Sequence, residues 1–146
     1  MSAALVPEGS YLDRLIRSAP EAWSAYTEHV FVAGMADGTL PEAAFRHYLG
    51  QDYLFLIQFA RAYALAAYKS REIELLRHHA EAVNAILNEM TLHVRLAAEW
   101  GESEADLTGA VESQATVAYT RFVLDTGMQG DLLDLMTVLA PCVIGY

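Results

Sequence analysis

Asp52 and Cys142 are the side chains whose type and setting point most directly to chemistry. Asp52 lies on a helical stripe with Phe45, Tyr48, Leu49 and Leu56, and a carboxylate facing apolar neighbours must be paired, hydrogen-bonded or protonated. Two readings follow: a structural acceptor for tyrosine hydroxyls or a helix end, or the perturbed carboxylate of a site. Cys142 follows Pro141. A proline deep in a helix removes a backbone hydrogen bond and opens space beside the thiol, so Cys142 is either a small buried hydrophobe or a nucleophile. Phe55, one turn beyond Asp52, together with Tyr119 and Tyr146, is either plain core or the wall of an aromatic pocket for a flat ring.

Glu89 and His93 stand four apart, a spacing compatible with a metal-carboxylate bundle, although Glu-x-x-His is the usual form and an i,i+4 pair is commonly a surface contact. His78-His79, His29 and His47 form no ligand pattern. The sequence contains no phosphate-cradling glycine loop and no GxSxG elbow, and its single cysteine excludes a CxxC zinc arrangement.

Helices must position these groups. Leu12, Leu15, Ile16, Ala19, Trp23, Tyr26 and Val30 recur at helical steps, with a Ser10/Asp13 capping signal and Pro20 placed to kink or split the segment. Asp37-Gly38-Thr39 reads as a turn, and Pro41 as the first residue of a second helix reaching about Lys69. Its stripe is Phe45, Tyr48, Leu49, Asp52, Leu56, Phe59, Ala60, Tyr63 and Ala67.

A third helix, about 70–100, repeats Ile73, Leu76, Ala80, Val83, Leu87, Met90, Val94 and Ala97, with Gly101 as its stop. The acidic stretch 102–109 reads as a surface loop. A fourth helix runs from about Val111 to Asp125 and ends at Gly127; a fifth starts near Asp131 with the stripe Leu132, Leu135, Met136, Leu139 and Val143. No strand-like alternation of useful length occurs, so the class is all-α.

With 146 residues, 54% of them hydrophobic and 19% charged, the chain reads as a single folding domain over 1–146. Nine Lys and Arg against nineteen Asp and Glu give a net charge of −10, which argues against nucleic acid or an anionic membrane surface as partner. One cysteine, no signal peptide and no uninterrupted apolar span predict a cytoplasmic protein in a reducing setting.

The sequence Asp37-Gly38-Thr39-Leu40-Pro41, then Phe45-x-x-Tyr48-Leu49-x-Gln51-Asp52-Tyr53, then Phe59-Ala60-Arg61-Ala62, resembles the TenA family, also called thiaminase II or aminopyrimidine aminohydrolase. Pro141-Cys142-x-x-Gly145-Tyr146 resembles that family's cysteine segment. The resemblance implies an all-helical bundle of the haem-oxygenase type and hydrolysis of thiamin or its breakdown products in thiamin salvage, without a cofactor or metal. It implies Cys142 as nucleophile, Asp52 as holder of the aminopyrimidine, Phe55 as stacking aromatic, and Tyr119 and Tyr146 as hydrogen-bonding walls. It also implies a homo-oligomer, typically a tetramer.

Family members place a catalytic Glu on a C-terminal helix that this sequence does not contain, and Tyr146 directly follows an apolar run. The expectation is therefore an incomplete bundle lacking C-terminal helices, with a groove beside Tyr119, Cys142 and Tyr146 that stands open or is filled by another subunit. Asp52 is expected to be buried and close to Cys142. Two other classes compete: a di-iron oxygenase on the same fold using Glu89 and His93, and a non-catalytic binding protein of this fold. Which pyrimidine is preferred does not follow from the sequence.

Overall fold

Pro41 fixes the start of the longest helix, and the 28 residues after it contain no further proline. In the computed structural model, which describes residues 6–145, this is α4 (Glu42–Lys69). Before it come α1 (Tyr11–Ser18), α2 (Pro20–Thr27) and α3 (Val30–Asp37); after it come α5 (Ile73–Ala98), α6 (Glu104–Gly109), α7 (Gln114–Gln129) and α8 (Leu132–Gly145). Among the described residues there is no strand, so the all-α expectation holds.

Contacts divide the chain into two units. One comprises residues 42–138 and carries most of the packing. Within it α4 is the central element, packed against α5, α6 and α7. Leu49 and Tyr53 of α4 meet Ala97 of α5 and Leu107 of α6 in one cluster, and Leu56 and Ala60 meet Ile86 in another. Lys69 donates to the Gly130 carbonyl at 2.7 Å, placing a cation at the C-terminus of α7, where the helix dipole favours it.

The other unit comprises the described residues up to Pro41 and those from Leu139 onward. Ser10 accepts from the Asp13 amide, which confirms the cap at α1. The segment read as one helix with a break at Pro20 is three helices: Pro20 opens α2, and His29 adds a further break by accepting the Phe31 amide through Nδ1 at 3.2 Å. Asp37 accepts from both the amide and the hydroxyl of Thr39, and Gly38 has φ +76°, so the turn forms as expected. Near Gly145 the close of α8 meets α2: a Cβ there would overlap the Tyr26 ring.

Three sequence expectations change. Residues 104–109 are a helix, because Ser103 and Asp106 form a reciprocal capping box and Leu107, 2% exposed, anchors the turn in the core. Gly127 does not end α7; the helix continues to Gln129, and Gly127 is buried where a Cβ would come 2.7 Å from Leu135 and 3.1 Å from Leu65. On α5 the expected stripe is half outward: Ile73, Leu76, Ala80 and Leu87 are exposed, Val83, Met90 and Val94 are partly buried and Ala97 is buried as expected, whereas His79, Ile86 and His93, outside the stripe, are buried. Gly101, with φ +79°, and Asp131, which accepts the Leu133 and Asp134 amides, bound α5 and α8 as expected.

Candidate active site

α4 presents Gln51, Asp52 and Phe55 within slightly more than one turn. Asp52 is nearly buried, its side chain 10% exposed, and it faces His93 of α5, 7% exposed, with Oδ2 and Nε2 2.7 Å apart. The opposite ring nitrogen of His93, Nδ1, faces the Glu89 backbone carbonyl at 3.2 Å. Both neighbours are acceptors, so an imidazolium, donating from both nitrogens, satisfies them together, whereas a neutral ring has a proton for only one. The bond to the Asp52 carboxylate holds the His93 imidazole above its ordinary value; burial opposes this and the Glu89 carbonyl reinforces it. The expected burial of Asp52 therefore rests on an ion pair rather than on tyrosine hydroxyls.

The same contact separates His93 from Glu89 as side chains. Both ring nitrogens of His93 are engaged, Glu89 is exposed, and among the described residues no group of three or more His, Cys, Asp or Glu comes together as a metal site.

Phe55 stacks on Tyr119 of α7 with ring centroids 6.2 Å apart and planes 18° from parallel, and on Phe59 at 5.2 Å and 23°. Phe59 meets Tyr63 edge-on at 5.0 Å, and Tyr63 meets His79 at 6.1 Å. Residues 55, 59 and 63 are one turn apart, so α4 carries an aromatic ladder from α7 to α5. At its far end His79 is 4% exposed and bonds Ser70 through Nδ1 at 2.9 Å. The Ser70 hydroxyl gives its one hydrogen to the Ala66 carbonyl, so His79 donates from Nδ1. Burial pushes the His79 imidazole below its ordinary value.

Gln51 secures the start of α7. Its Oε1 accepts from the Ser113 amide at 2.7 Å and the Thr116 hydroxyl at 2.8 Å, and its Nε2 donates to the Val111 carbonyl at 2.9 Å. Ser113 is the N-cap of α7, so this amide fixes the register of the helix bearing Tyr119. The Tyr119 hydroxyl donates to the Val138 carbonyl of α8 at 3.0 Å.

Cys142 lies in the other unit. It is partly buried, its thiol donates to the Leu139 carbonyl at 3.0 Å, and Pro141 beside it lies inside α8. In the same unit the Tyr26 phenol is raised above its ordinary value, first by burial and then by electrostatic repulsion from the neighbouring Cys142 sulfur. Tyr146, expected as a wall residue, lies outside the described residues.

Sequence reading missed Asp52's partner, Gln51's three bonds and the buried Ser70–His79 pair. One signal was present: His79, Ile86 and His93 repeat every seven residues, but an apolar pattern does not register histidine. Among the described residues no helix is long and apolar enough to cross a membrane.

Residues 16–146 match the model of the TENA/THI-4/PQQC family. An uncharacterized protein of Haemophilus influenzae is 41% identical over 135 residues, 92% of this chain and 63% of that protein. An aminopyrimidine aminohydrolase of Halalkalibacterium halodurans is 35% identical over 138 residues, covering 94% and 62% of the two chains. The crystal structure of a protein described as a TenA family transcription regulator, from Silicibacter sp. TM1040, superposes with a TM-score of 0.90 at 48% identity, over 96% of this chain and 63% of that one. The chain thus spans less than two thirds of the length of each of these relatives. The helical order and this superposition give the all-α, haem-oxygenase-like fold, and with the family match running from α1 to Tyr146, the chain belongs to the TENA/THI-4/PQQC family.

Proposed function

We propose that this chain carries the pyrimidine-binding and nucleophilic parts of an aminopyrimidine aminohydrolase, a thiaminase II-type hydrolase acting on thiamin or its degradation products in thiamin salvage. The observation that carries the reading is Asp52: a nearly buried carboxylate, charge-compensated by His93, one turn from a stacked pair of aromatic rings. A flat ring with exocyclic and ring nitrogens matches that combination, donating hydrogen bonds from its N–H edge to the carboxylate and offering its faces for stacking. The H. halodurans relative, an aminopyrimidine aminohydrolase, supports the same substrate class.

In this reading Asp52 accepts an N–H of the pyrimidine, and Phe55, Tyr119 and Tyr146 wall the ring. Cys142 is the nucleophile. Its sulfur adds to an electron-poor ring carbon, and the bond from the exocyclic methylene to the leaving nitrogen (the amine, or the thiazole nitrogen of thiamin) breaks with its electron pair going to that nitrogen. Water then adds at the methylene, giving up a proton, as sulfur leaves the ring as thiolate. An ordinary thiol, with a pKa of about 8.5, is mostly protonated at neutral pH and needs a base. Residues 1–146 act as one domain, in the cytoplasm, as a homotetramer.

The experiment is a thiamin and aminomethylpyrimidine hydrolysis assay on wild type and Cys142→Ser, together with a co-crystal structure with the pyrimidine. Turnover lost and binding kept in the serine variant, with the Asp52 carboxylate at about 3 Å from a pyrimidine nitrogen, supports the reading. Retained turnover in Cys142→Ser, or a pyrimidine more than about 10 Å from Cys142 Sγ, several times hydrogen-bond reach, overturns the nucleophile.

A further inference from the structure

We propose that His93 is a positioning residue for ligand recognition: by holding Oδ2 of Asp52 it orients and charge-compensates the carboxylate, leaving Oδ1 as the acceptor for an N–H of an aminopyrimidine. The proposal rests on the pyrimidine-binding reading above and adds to it a residue that itself touches no ligand.

Three observations carry it. The Nε2 to Oδ2 distance of 2.7 Å is that of a charge-assisted bond, between side chains 7% and 10% exposed, so the pair is not a loose surface contact. His93 is the only cationic group that ion-pairs with Asp52 among the described residues: Arg46 of α4 pairs with Glu42 and lies over the Trp100 ring. No described residue hydrogen-bonds Oδ1, and the Asp52 side chain keeps 10% of its surface exposed, which leaves that oxygen as the acceptor not committed within the protein.

A buried carboxylate without a compensating cation is costly in its charged form, so removing His93 changes both the charge and the aim of Asp52. The charged groups facing His93 are Asp52 from α4 and Glu89 from its own helix. Both favour the imidazolium, and the raised His93 value agrees with the geometry.

The test follows the His93 imidazole by NMR, assigned by its absence in His93→Gln, in wild type and Asp52→Asn, with and without 4-amino-5-aminomethyl-2-methylpyrimidine. Calorimetric affinity for the same compound is measured in wild type, His93→Gln and His93→Ala. We expect the His93 titration midpoint to fall in Asp52→Asn, and the pyrimidine to move it in wild type but not in Asp52→Asn. Affinity should weaken about tenfold in His93→Gln, as for loss of one charge-assisted bond, and at least as much in His93→Ala.

A His93 midpoint unchanged in Asp52→Asn overturns the proposal. So does a bound pyrimidine that leaves the His93 titration and the affinity of a folded His93→Gln protein unchanged. If wild type binds no pyrimidine while the His93 midpoint still depends on Asp52, the pair is structural: the substrate reading and the positioning role both fall, whereas an unchanged affinity in His93→Gln removes the positioning role alone.

Discussion

Asp52 Oδ2 and His93 Nε2 meet 2.7 Å apart between α4 and α5, each side chain almost withdrawn from water. Breaking such a pair from one side leaves an uncompensated buried charge, which typically costs about 3–5 kcal/mol. His93→Ala should therefore lower stability by that order in chemical denaturation. Asp52→Asn, which retains a polar partner of the same shape, should lower it less.

The pair also sets a pH dependence. The folded-state value of His93 lies above that of an unfolded imidazole, about 6.5. In the window above about pH 6.5 the native state therefore binds more protons than the unfolded state, and linkage makes stability fall as pH rises. The contribution is fully present below about pH 6.5 and is lost as pH rises through the folded-state value. Urea midpoints measured from pH 6 to 9 should decline in wild type, and the decline should be shallower in His93→Gln.

His79 acts in the opposite window. Burial lowers its folded-state value, so below about pH 6.5 the unfolded chain binds the extra proton and stability falls as pH falls. Ser70→Ala removes the acceptor that His79 Nδ1 uses and should destabilise by about 1–2 kcal/mol, as for a buried donor left without a partner. Midpoints from pH 6.5 down to 5 should drop in wild type and drop less in a His79→Phe protein, which keeps a ring in the same place without the titration.

Gln51→Ala deletes three hydrogen bonds to the start of α7. At about 1 kcal/mol each, the loss should be about 2–3 kcal/mol. Because those bonds fix the helix that bears Tyr119, the near-ultraviolet circular dichroism of the Phe55–Tyr119 stack should weaken before helix content does. An unchanged near-ultraviolet spectrum in a destabilised Gln51→Ala protein would separate the clamp from the stack.

Two helical glycines should respond in opposite directions to alanine. Gly50 of α4 has open space where a Cβ would stand, so Gly50→Ala should stabilise by about 0.5–1 kcal/mol through helix propensity. At Gly127 the new methyl would press on Leu135, which is fully buried, and on Leu65. Overpacking of about 1–3 kcal/mol should offset or exceed the propensity gain there. Thermal melts of both variants check the contrast.

By itself, the sequence determined the all-helical class, the turn at Gly38 and the ends set by Gly101 and Asp131, because these depend on neighbours three or four residues apart. Of the α4 stripe it placed Leu49, Leu56 and Ala60 in the core but missed Tyr53, Leu54, Ala62 and Ala66, which are buried on other faces of the same helix. It also carried the motifs around Asp52 and Cys142 that point to the family. What it did not determine depends on partners far along the chain. The charge of Asp52 is tolerated in the core by His93, 41 residues away, and Gln51 finds Ser113 62 residues away. Hydropathy ranks Ile73 and Leu87 as core and His79 and His93 as surface, yet the structure reverses both assignments, because a histidine with a buried hydrogen-bond partner loses little on leaving water. Leu107 likewise turned an acidic loop into α6 once α4 and α5 offered it a place in the core. Local periodicity therefore located the long helices, and only tertiary pairing decided that residues 104–109 join them and which helix faces could carry charge inside.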